Sequence, residues 1–279
     1  MGFEKAGDIL RSAYRDKRAV AAFNVFNYET IQWAALASEA LQLPVLVGFY
    51  PGWQDFITLK TIYEITKSCA QDLKAPICLH LDHCNELDGI KRALDAGFAS
   101  VMFDGSQLPF EENLEKTRQA VEIAASYGAD VEGELGHVGD ASQLLDTTDR
   151  SHFTDVKKAL RFVKESGVSS LAISIGNAHG PYVRTPSLDI TLLSEINAIT
   201  NIPLVLHGGS GIPHDQVQKA VQNGISKMNV GTDFFRAYFR SLQKVMKKED
   251  LGEHMYNTTL QAAAEVVDFL KEKIQMLHG

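Results

Sequence analysis

The stretch Leu79-His80-Leu81 is apolar but for one histidine, and it runs straight into Asp82-His83-Cys84. Three reactive side chains in a row at the end of such a segment suit a general base, a metal ligand or a thiol nucleophile. Comparable endings recur downstream: Asp104-Gly105-Ser106, Glu132-Gly133-Glu134, Asn177-Ala178-His179-Gly180, His207-Gly208-Gly209-Ser210-Gly211 and Asn229-Val230-Gly231-Thr232-Asp233. Their chemistry depends on whether a fold brings them together.

The elements that would do so can be counted. Apolar, β-branched runs fall at 19–25, 43–49, 76–82, 98–104, 129–135, 168–175, 202–207 and 225–231, with longer amphipathic stretches between them. In 113–127, Leu114, Ala120, Val121 and Ala124 share one helical face; in 155–166, Val156, Leu160 and Val163 do, and Gly128 and Gly167 follow as stop signals. Eight such alternations in 279 residues predict an α/β fold, a (β/α)8 TIM barrel, rather than an open doubly wound sheet. No linker or low-complexity segment divides the chain, so one domain, 1–279, is expected. A long helix at 260–277 would cover the barrel or pack on a partner subunit.

Composition narrows the function. With 45% hydrophobic and 22% charged residues the chain has globular composition, and a net charge of -8 without a Lys/Arg run argues against nucleic acid or an anionic membrane as partner. Nowhere do about 18 uninterrupted apolar residues occur, and the first residues lack a signal-peptide core. Cys69, Cys78 and Cys84 are an odd number without CxxC spacing, so a disulfide framework and a thiolate zinc site are both unsupported. A cytoplasmic protein acting on a small molecule is expected.

Barrels of this class carry their active sites at the C-terminal ends of the strands, so the endings above converge. A lone histidine at a strand end is more often a loop residue bonded to backbone. Three at one mouth, His83, His179 and His207, beside Asp82, Asp104 and Glu134, point instead to a zinc site of neutral imidazoles with an open fourth position. His80, His137, His152, His214, His254 and His278 lack that convergence and are assigned to surface or packing. The glycine-rich turns after strands seven and eight, with Ser210 and Thr232, sit where such barrels commonly bind phosphate. Cys84 has no base aimed at it and is expected to be a small buried residue. No GxSxG elbow offers a serine nucleophile, and Lys227 is the one lysine inside a run that would suit a Schiff base.

Taken together, these motifs resemble the class II, zinc-dependent ketose-bisphosphate aldolases, among them fructose- and tagatose-bisphosphate aldolases, over nearly the whole chain. The resemblance rests on Ala22-Phe23-Asn24-Val25, Leu81-Asp82-His83, Val101-Met102-Phe103-Asp104-Gly105-Ser106, Leu108-Pro109-Phe110, Glu134-Leu135-Gly136, Asn177-Ala178-His179-Gly180, His207-Gly208-Gly209-Ser210-Gly211 and Lys227-Met228-Asn229-Val230-Gly231-Thr232-Asp233. It implies that His83, His179 and His207 hold one zinc ion, with Glu134 and Asp104 as occasional or outer ligands. It further implies that Asp82 takes the proton of the substrate's C4 hydroxyl. Gly180, Gly208, Ser210, Asn229 and Thr232 would cradle the phosphate of a dihydroxyacetone phosphate half, with Asn24 also among the substrate-binding residues. A monovalent cation at the phosphate and a homo-oligomer, dimer or tetramer, belong to the same expectation.

Three departures bear on the substrate. Where the family carries Gly-Gly and paired carboxylates on a loop, this chain has His137-Val138-Gly139-Asp140-Ala141-Ser142, leaving Asp140 to exchange the proton at the enediolate carbon. A family serine near the distal end of the substrate gives way around Phe49-Tyr50. The family's distal-phosphate arginine has no counterpart, since no arginine follows Arg240 and the region reads Glu253-His254-Met255-Tyr256-Asn257-Thr258-Thr259-Leu260-Gln261. The expected activity is reversible cleavage of a ketose 1-phosphate to dihydroxyacetone phosphate and an aldehyde. Fructose or tagatose 1,6-bisphosphate is the default substrate. A sugar with another terminal group, such as sulfofructose 1-phosphate giving sulfolactaldehyde, is the alternative. A different metal-assisted barrel enzyme and a sugar-phosphate-binding subunit are the further rivals.

Overall fold

The computed structural model of the protein describes residues 4–143, 147–247 and 255–278. Eight parallel strands close on themselves in sequence order: β1 (Val20–Asn24), β2 (Val45–Phe49), β3 (Ile77–Cys84), β4 (Ser100–Phe103), β5 (Asp130–Leu135), β6 (Ser170–Ile173), β7 (Leu204–Leu206) and β8 (Ile225–Val230). Each predicted run coincides with one of them, β3 continuing two residues past its run to Cys84, and the chain is a (β/α)8 TIM barrel. The seam is closed by β1 against β8, with Ala22 opposite Asn229. A short helix, α1 (Ala6–Arg15), precedes β1 and packs Ile9 and Leu10 against Val20, Leu46 and Cys78, which plugs the end of the barrel remote from the site.

The outer ring comprises α2 (Tyr28–Leu41), α3 (Leu59–Ala70), α4 (Leu87–Ala96), α5 (Phe110–Ala125), α6 (Val156–Ser166), α7 (Ile190–Thr200), α8 (His214–Gln222) and α9 (Thr232–Met246), followed by α10 (Met255–His278). α5 starts three residues before the predicted stretch because Pro109, with φ fixed near −53°, supplies its N-terminal boundary. Gly167 ends α6 in the left-handed region, as its position suggested. α10 packs along α2 and α9 and covers that side of the barrel. His254 lies outside the described residues.

Strand residues alternate between two environments. Leu79, Leu81, Val101, Phe103, Val131, Leu171, Ile173, Leu204 and Leu206 join the apolar cluster between sheet and helices. Residues of the other parity fill the barrel, and there the lining turns polar: His80 and Asp82 on β3, Ser100 on β4, Glu132 and Glu134 on β5, Lys227 and Asn229 on β8, all buried. Helix packing uses one parity and the site the other.

One irregularity decides the geometry at the mouth. Between β3 and β4 the register runs from Leu81↔Val101 to Cys84↔Phe103, so two residues, Asp82 and His83, oppose Met102 alone. His83 adopts φ +54°, the left-handed region a bulky residue seldom takes.

Candidate active site

The β3 bulge turns two consecutive side chains toward one cavity. His83 leans over the mouth, its ring centroid 4.5 Å from that of His207 and 4.8 Å from that of His179. His207 follows the short strand β7, and its backbone carbonyl accepts from Asn177 Nδ2 at 3.1 Å, which ties it to the turn after β6. His179 is fixed by backbone pairing with 139–141: its N–H donates to Gly139 O (2.8 Å), and Ala141 N–H donates to its carbonyl (2.7 Å).

Each imidazole has one nitrogen committed elsewhere. His83 Nδ1 lies 2.8 Å from Asp104 Oδ2, His207 Nε2 lies 2.8 Å from Glu132 Oε1, and His179 is bonded to the Val138 backbone. The nitrogens left over converge. His83 Nε2 and His207 Nδ1 stand 2.8 Å apart, and His179 Nε2 is buried with no hydrogen-bond partner. A buried unpartnered nitrogen facing two other ring nitrogens is costly unless something binds there. Three imidazoles whose far sides are held by carboxylates or backbone carbonyl are the arrangement that orients histidines on a cation. His83, His179 and His207 can thus hold a metal ion. His83, Asp104 and Glu134 form a second, overlapping group with ligand atoms within 4.8 Å of one another.

The two carboxylates of that second group differ. Asp104 is engaged by His83 and, through Oδ1, by the Ser106 hydroxyl and N–H at 2.7 and 3.1 Å, which together hold it well below the usual carboxylate range despite its burial. Glu134 is raised to about 8 by burial and by the charge of Asp104, and its Oε2 has no partner. Asp104 orients His83, whereas Glu134 keeps an oxygen free.

Asp82 stands beside this cluster. Its Oδ2 accepts from Asn24 Nδ2 at 2.8 Å and its Oδ1 from Asn229 Nδ2 at 3.0 Å. Burial alone would raise the carboxyl, but His83, His207, Lys227 and His80 outweigh it and keep it ionised. Asn24 and Asn229, expected as substrate ligands, aim this carboxylate from the first and last strands; Asn229 Oδ1 is buried without a partner.

A cavity of about 210 Å³ joins these groups to the glycine-rich turns, lined by Asp82, His83 and His179 together with Gly180, Gly208, Ser210 and Thr232. Gly208 has φ +64°, and a Cβ there would come within 1.9 Å of Ala178 O, so the turn tolerates only glycine. Tyr182, which sequence did not single out, holds this turn: its hydroxyl donates to Gly208 O and accepts from Ala178 N–H, each at 2.9 Å. Thr232 opens the 15-residue helix α9, whose N-cap Gly231 offers no side chain; Ser210 Oγ accepts from the Asp233 N–H at 3.0 Å, which ties the turn after β7 to the helix N-terminus, a favourable place for an anion. Tyr50, Trp53 and Phe235 add aromatic surface to the lining. Tyr50 follows β2 and stands where the family serine was missed.

Asp140 lines neither this cavity nor the adjoining one of about 490 Å³ that reaches Asn85, Gln107 and Lys116. It is exposed near Gly180, and the Ser142 N–H and hydroxyl hold its carboxyl below the usual range. Cys84 is buried, its thiol donating to Glu86 O at 3.4 Å. Lys227 is no available amine, because Nζ donates to Glu132 Oε2 at 2.8 Å in a fully buried setting.

A parallel eight-stranded barrel with an imidazole cluster, an aimed carboxylate and a glycine-lined anion cradle at the strand ends defines a class: barrel enzymes acting on small phosphorylated substrates. The family model for class II fructose-bisphosphate aldolase matches residues 4–279, and the chain belongs to that family. It is an aldolase, a carbon–carbon lyase acting on a small-molecule sugar phosphate. It is 34% identical over 277 residues to a sulfofructosephosphate aldolase of Alkalicoccus urumqiensis, covering 99% of this chain and 96% of that one. The crystal structure of the YdjI aldolase from Escherichia coli K12 matches with TM-score 0.87 at 29% identity, over 99% and 97% of the two chains. Fructose-bisphosphate aldolase from Campylobacter jejuni has TM-score 0.84 at 22% identity, over 99% and 95%, a likeness of fold alone. Among the described residues no helix is long and apolar enough to cross a membrane.

Proposed function

We propose that the protein is a zinc-dependent aldolase that reversibly cleaves a ketose 1-phosphate bearing a terminal sulfonate, of the sulfofructose 1-phosphate type, to dihydroxyacetone phosphate and sulfolactaldehyde. The observation that carries the terminal group is the lining of the 210 Å³ cavity, which holds no lysine or arginine among the described residues and includes the aromatic side chains of Tyr50, Trp53 and Phe235, while Lys116 lines the adjoining cavity. A phosphate dianion there would lack the guanidinium that usually meets it. A sulfonate carries one charge and tolerates neutral donors better. The 34% identity to a sulfofructosephosphate aldolase supports the same reading.

His83, His179 and His207 would hold the zinc, with Glu134 able to join them. Zinc supplies Lewis-acid stabilisation of the negative charge that forms on the enediolate. Asp82, aimed by its two asparagines, accepts the C4 hydroxyl proton; as the C4 carbonyl forms, the C3–C4 bond breaks and its electrons pass into the enediolate. Asp140, near Gly180 but outside the cavity, is assigned the return to C3 of a proton that it first takes up from solvent, completing dihydroxyacetone phosphate. Gly180, Gly208, Ser210 and Thr232 bind the phosphate and fix that end of the sugar; a monovalent cation beside it rests on the family resemblance alone.

The reading extends to a homo-oligomer in the cytoplasm. Exposed apolar side chains concentrate on one side: Tyr28 and Leu36 on α2, Tyr50 and Phe56 after β2, Phe239 on α9, Tyr256 and Leu260 on α10. The three cysteines are free, in keeping with a reducing compartment. The deciding experiment runs the aldol direction, offering dihydroxyacetone phosphate with sulfolactaldehyde, lactaldehyde and glyceraldehyde 3-phosphate in competition. Preferential formation of the sulfonated ketose is expected. Preference for glyceraldehyde 3-phosphate would return the assignment to fructose or tagatose 1,6-bisphosphate.

A further inference from the structure

Beneath the histidine cluster a polar chain crosses the closed barrel. His207 Nε2 meets Glu132 Oε1 at 2.8 Å, Lys227 Nζ donates to Glu132 Oε2 at 2.8 Å and approaches His80 Nε2 at 3.4 Å, and His80 Nδ1 pairs with Ser100 Oγ at 2.7 Å. The members come from β5, β8, β3, β4 and the turn that follows β7, and none is more than 2% exposed. Apart from His207, whose Nδ1 faces the histidine cluster, none reaches the site above. Stability does not explain them, because replacing a buried ion pair with apolar residues of similar volume is often neutral or favourable. Catalysis by contact does not explain them either.

Donor and acceptor roles do. An ammonium has three donors and no acceptor, so Oε2 of Glu132 must accept from Lys227. A carboxylate paired in this way accepts at its other oxygen as well, so the hydrogen shared with His207 belongs to Nε2. The lone pair of His207 then lies on Nδ1, the nitrogen that faces His83 Nε2. The opposite tautomer would point N–H where a cation must bind. His80, bonded to Ser100, gives the ammonium a second acceptor without adding charge, so that two of the three donors of the buried Lys227 are used.

We propose that Lys227 is a positioning residue for the metal site: acting through Glu132, it fixes the His207 tautomer that leaves Nδ1 free to ligate. This rests on the metal reading of the three histidines, and the test separates the two. Lys227→Met and the double variant Glu132→Gln/Lys227→Met are stripped with chelator. Zinc affinity is then measured by competition with a chromophoric chelator, and cobalt(II) substitution is followed by visible absorption. Lys227→Met, which leaves the direction of the Glu132–His207 bond unset, is expected to bind zinc about 10- to 100-fold more weakly, with an altered cobalt band. The double variant restores an acceptor, with the glutamine carbonyl taking the His207 hydrogen when its amide is oriented to donate to His80. It is expected to recover most of the affinity and the parent's band. It also stands in should Lys227→Met alone not fold, since it buries no charge; zinc affinity and a cobalt band like the parent's are then the expected result. Unchanged zinc affinity and cobalt spectrum in folded Lys227→Met would overturn the inference, as would a double variant that folds but binds no better than Lys227→Met or, without that comparison, far more weakly than the parent. A parent protein that takes up neither metal would instead sink the metal reading beneath it.

Discussion

Asp82 and His83 are consecutive residues of one strand, yet both face the same cavity. A regular strand would send them to opposite sides of the sheet. The two-against-one register with Met102 and the left-handed φ of His83 remove that alternation, so β3 delivers an aimed carboxylate and a convergent imidazole from adjacent positions.

Asp82→Asn keeps the shape of the site and removes the base. Turnover is expected to fall about 10²- to 10⁴-fold, the usual span for a positioned proton acceptor. Zinc content, read by elemental analysis, should match the parent. A variant retaining parental turnover would dismiss Asp82 as the base.

His179→Ala removes the buried ring nitrogen that has no hydrogen-bond partner among the protein's own groups. Because a ligand that binds only the folded state stabilises it, zinc should raise the unfolding midpoint of the parent and hardly move that of the variant. The comparison is made by calorimetry with and without the metal. An equal zinc-dependent rise in both proteins would show that His179 is not a ligand.

Gly208→Ala tests the cradle. The added methyl would overlap Ala178 O and requires a left-handed alanine, so the turn must shift. KM for a ketose 1-phosphate is expected to rise more than about tenfold, with the same direction for inorganic phosphate as competitor. An unaltered KM would mean that phosphate binds elsewhere.

The thiols are expected to be inert. Burial pushes Cys69 up to about 11 and also raises Cys78 and Cys84. At pH 7.5 only about one Cys69 thiol in three thousand is then ionised. Alkylation by iodoacetamide, followed by intact mass, should be slow near neutrality, quicken about tenfold per pH unit toward pH 10, and leave turnover unchanged at neutral pH. Rapid loss of activity on labelling at pH 7 would restore Cys84 as a chemical residue.

Much of this was legible in the chain because barrel architecture converts a linear pattern into a place. Eight runs with polar endings specify eight strand ends, and strand ends share one face, so His83, His179 and His207 could be grouped before any coordinates. What escaped depends on parity and on register. Glu132 and Lys227 lie one turn of alternation below the mouth, where a sequence shows only a charge inside an apolar run; the bonds linking them cross from β5 to β8 and leave no spacing to read. Tyr182 and Trp53 come from loops whose path no periodicity specifies. Asn24 and Asn229 were found for another reason than the one their contacts with Asp82 supply.

The three histidines are unequally divided along the chain. His83 belongs to the first four β/α units, while His179 and His207 belong to the last four, and β3 and β7 face one another across the barrel rather than pairing in the sheet. An ion seated among them would act as a further clasp between two half-barrels that meet at the β4–β5 and β8–β1 seams, where α10 packs on α2, and through cross-barrel bonds such as Asn229 to Asp82. Two fragments divided in the turn after α5 should therefore reassemble more tightly with zinc present, and the ion that serves the chemistry would also help keep the ring of strands shut.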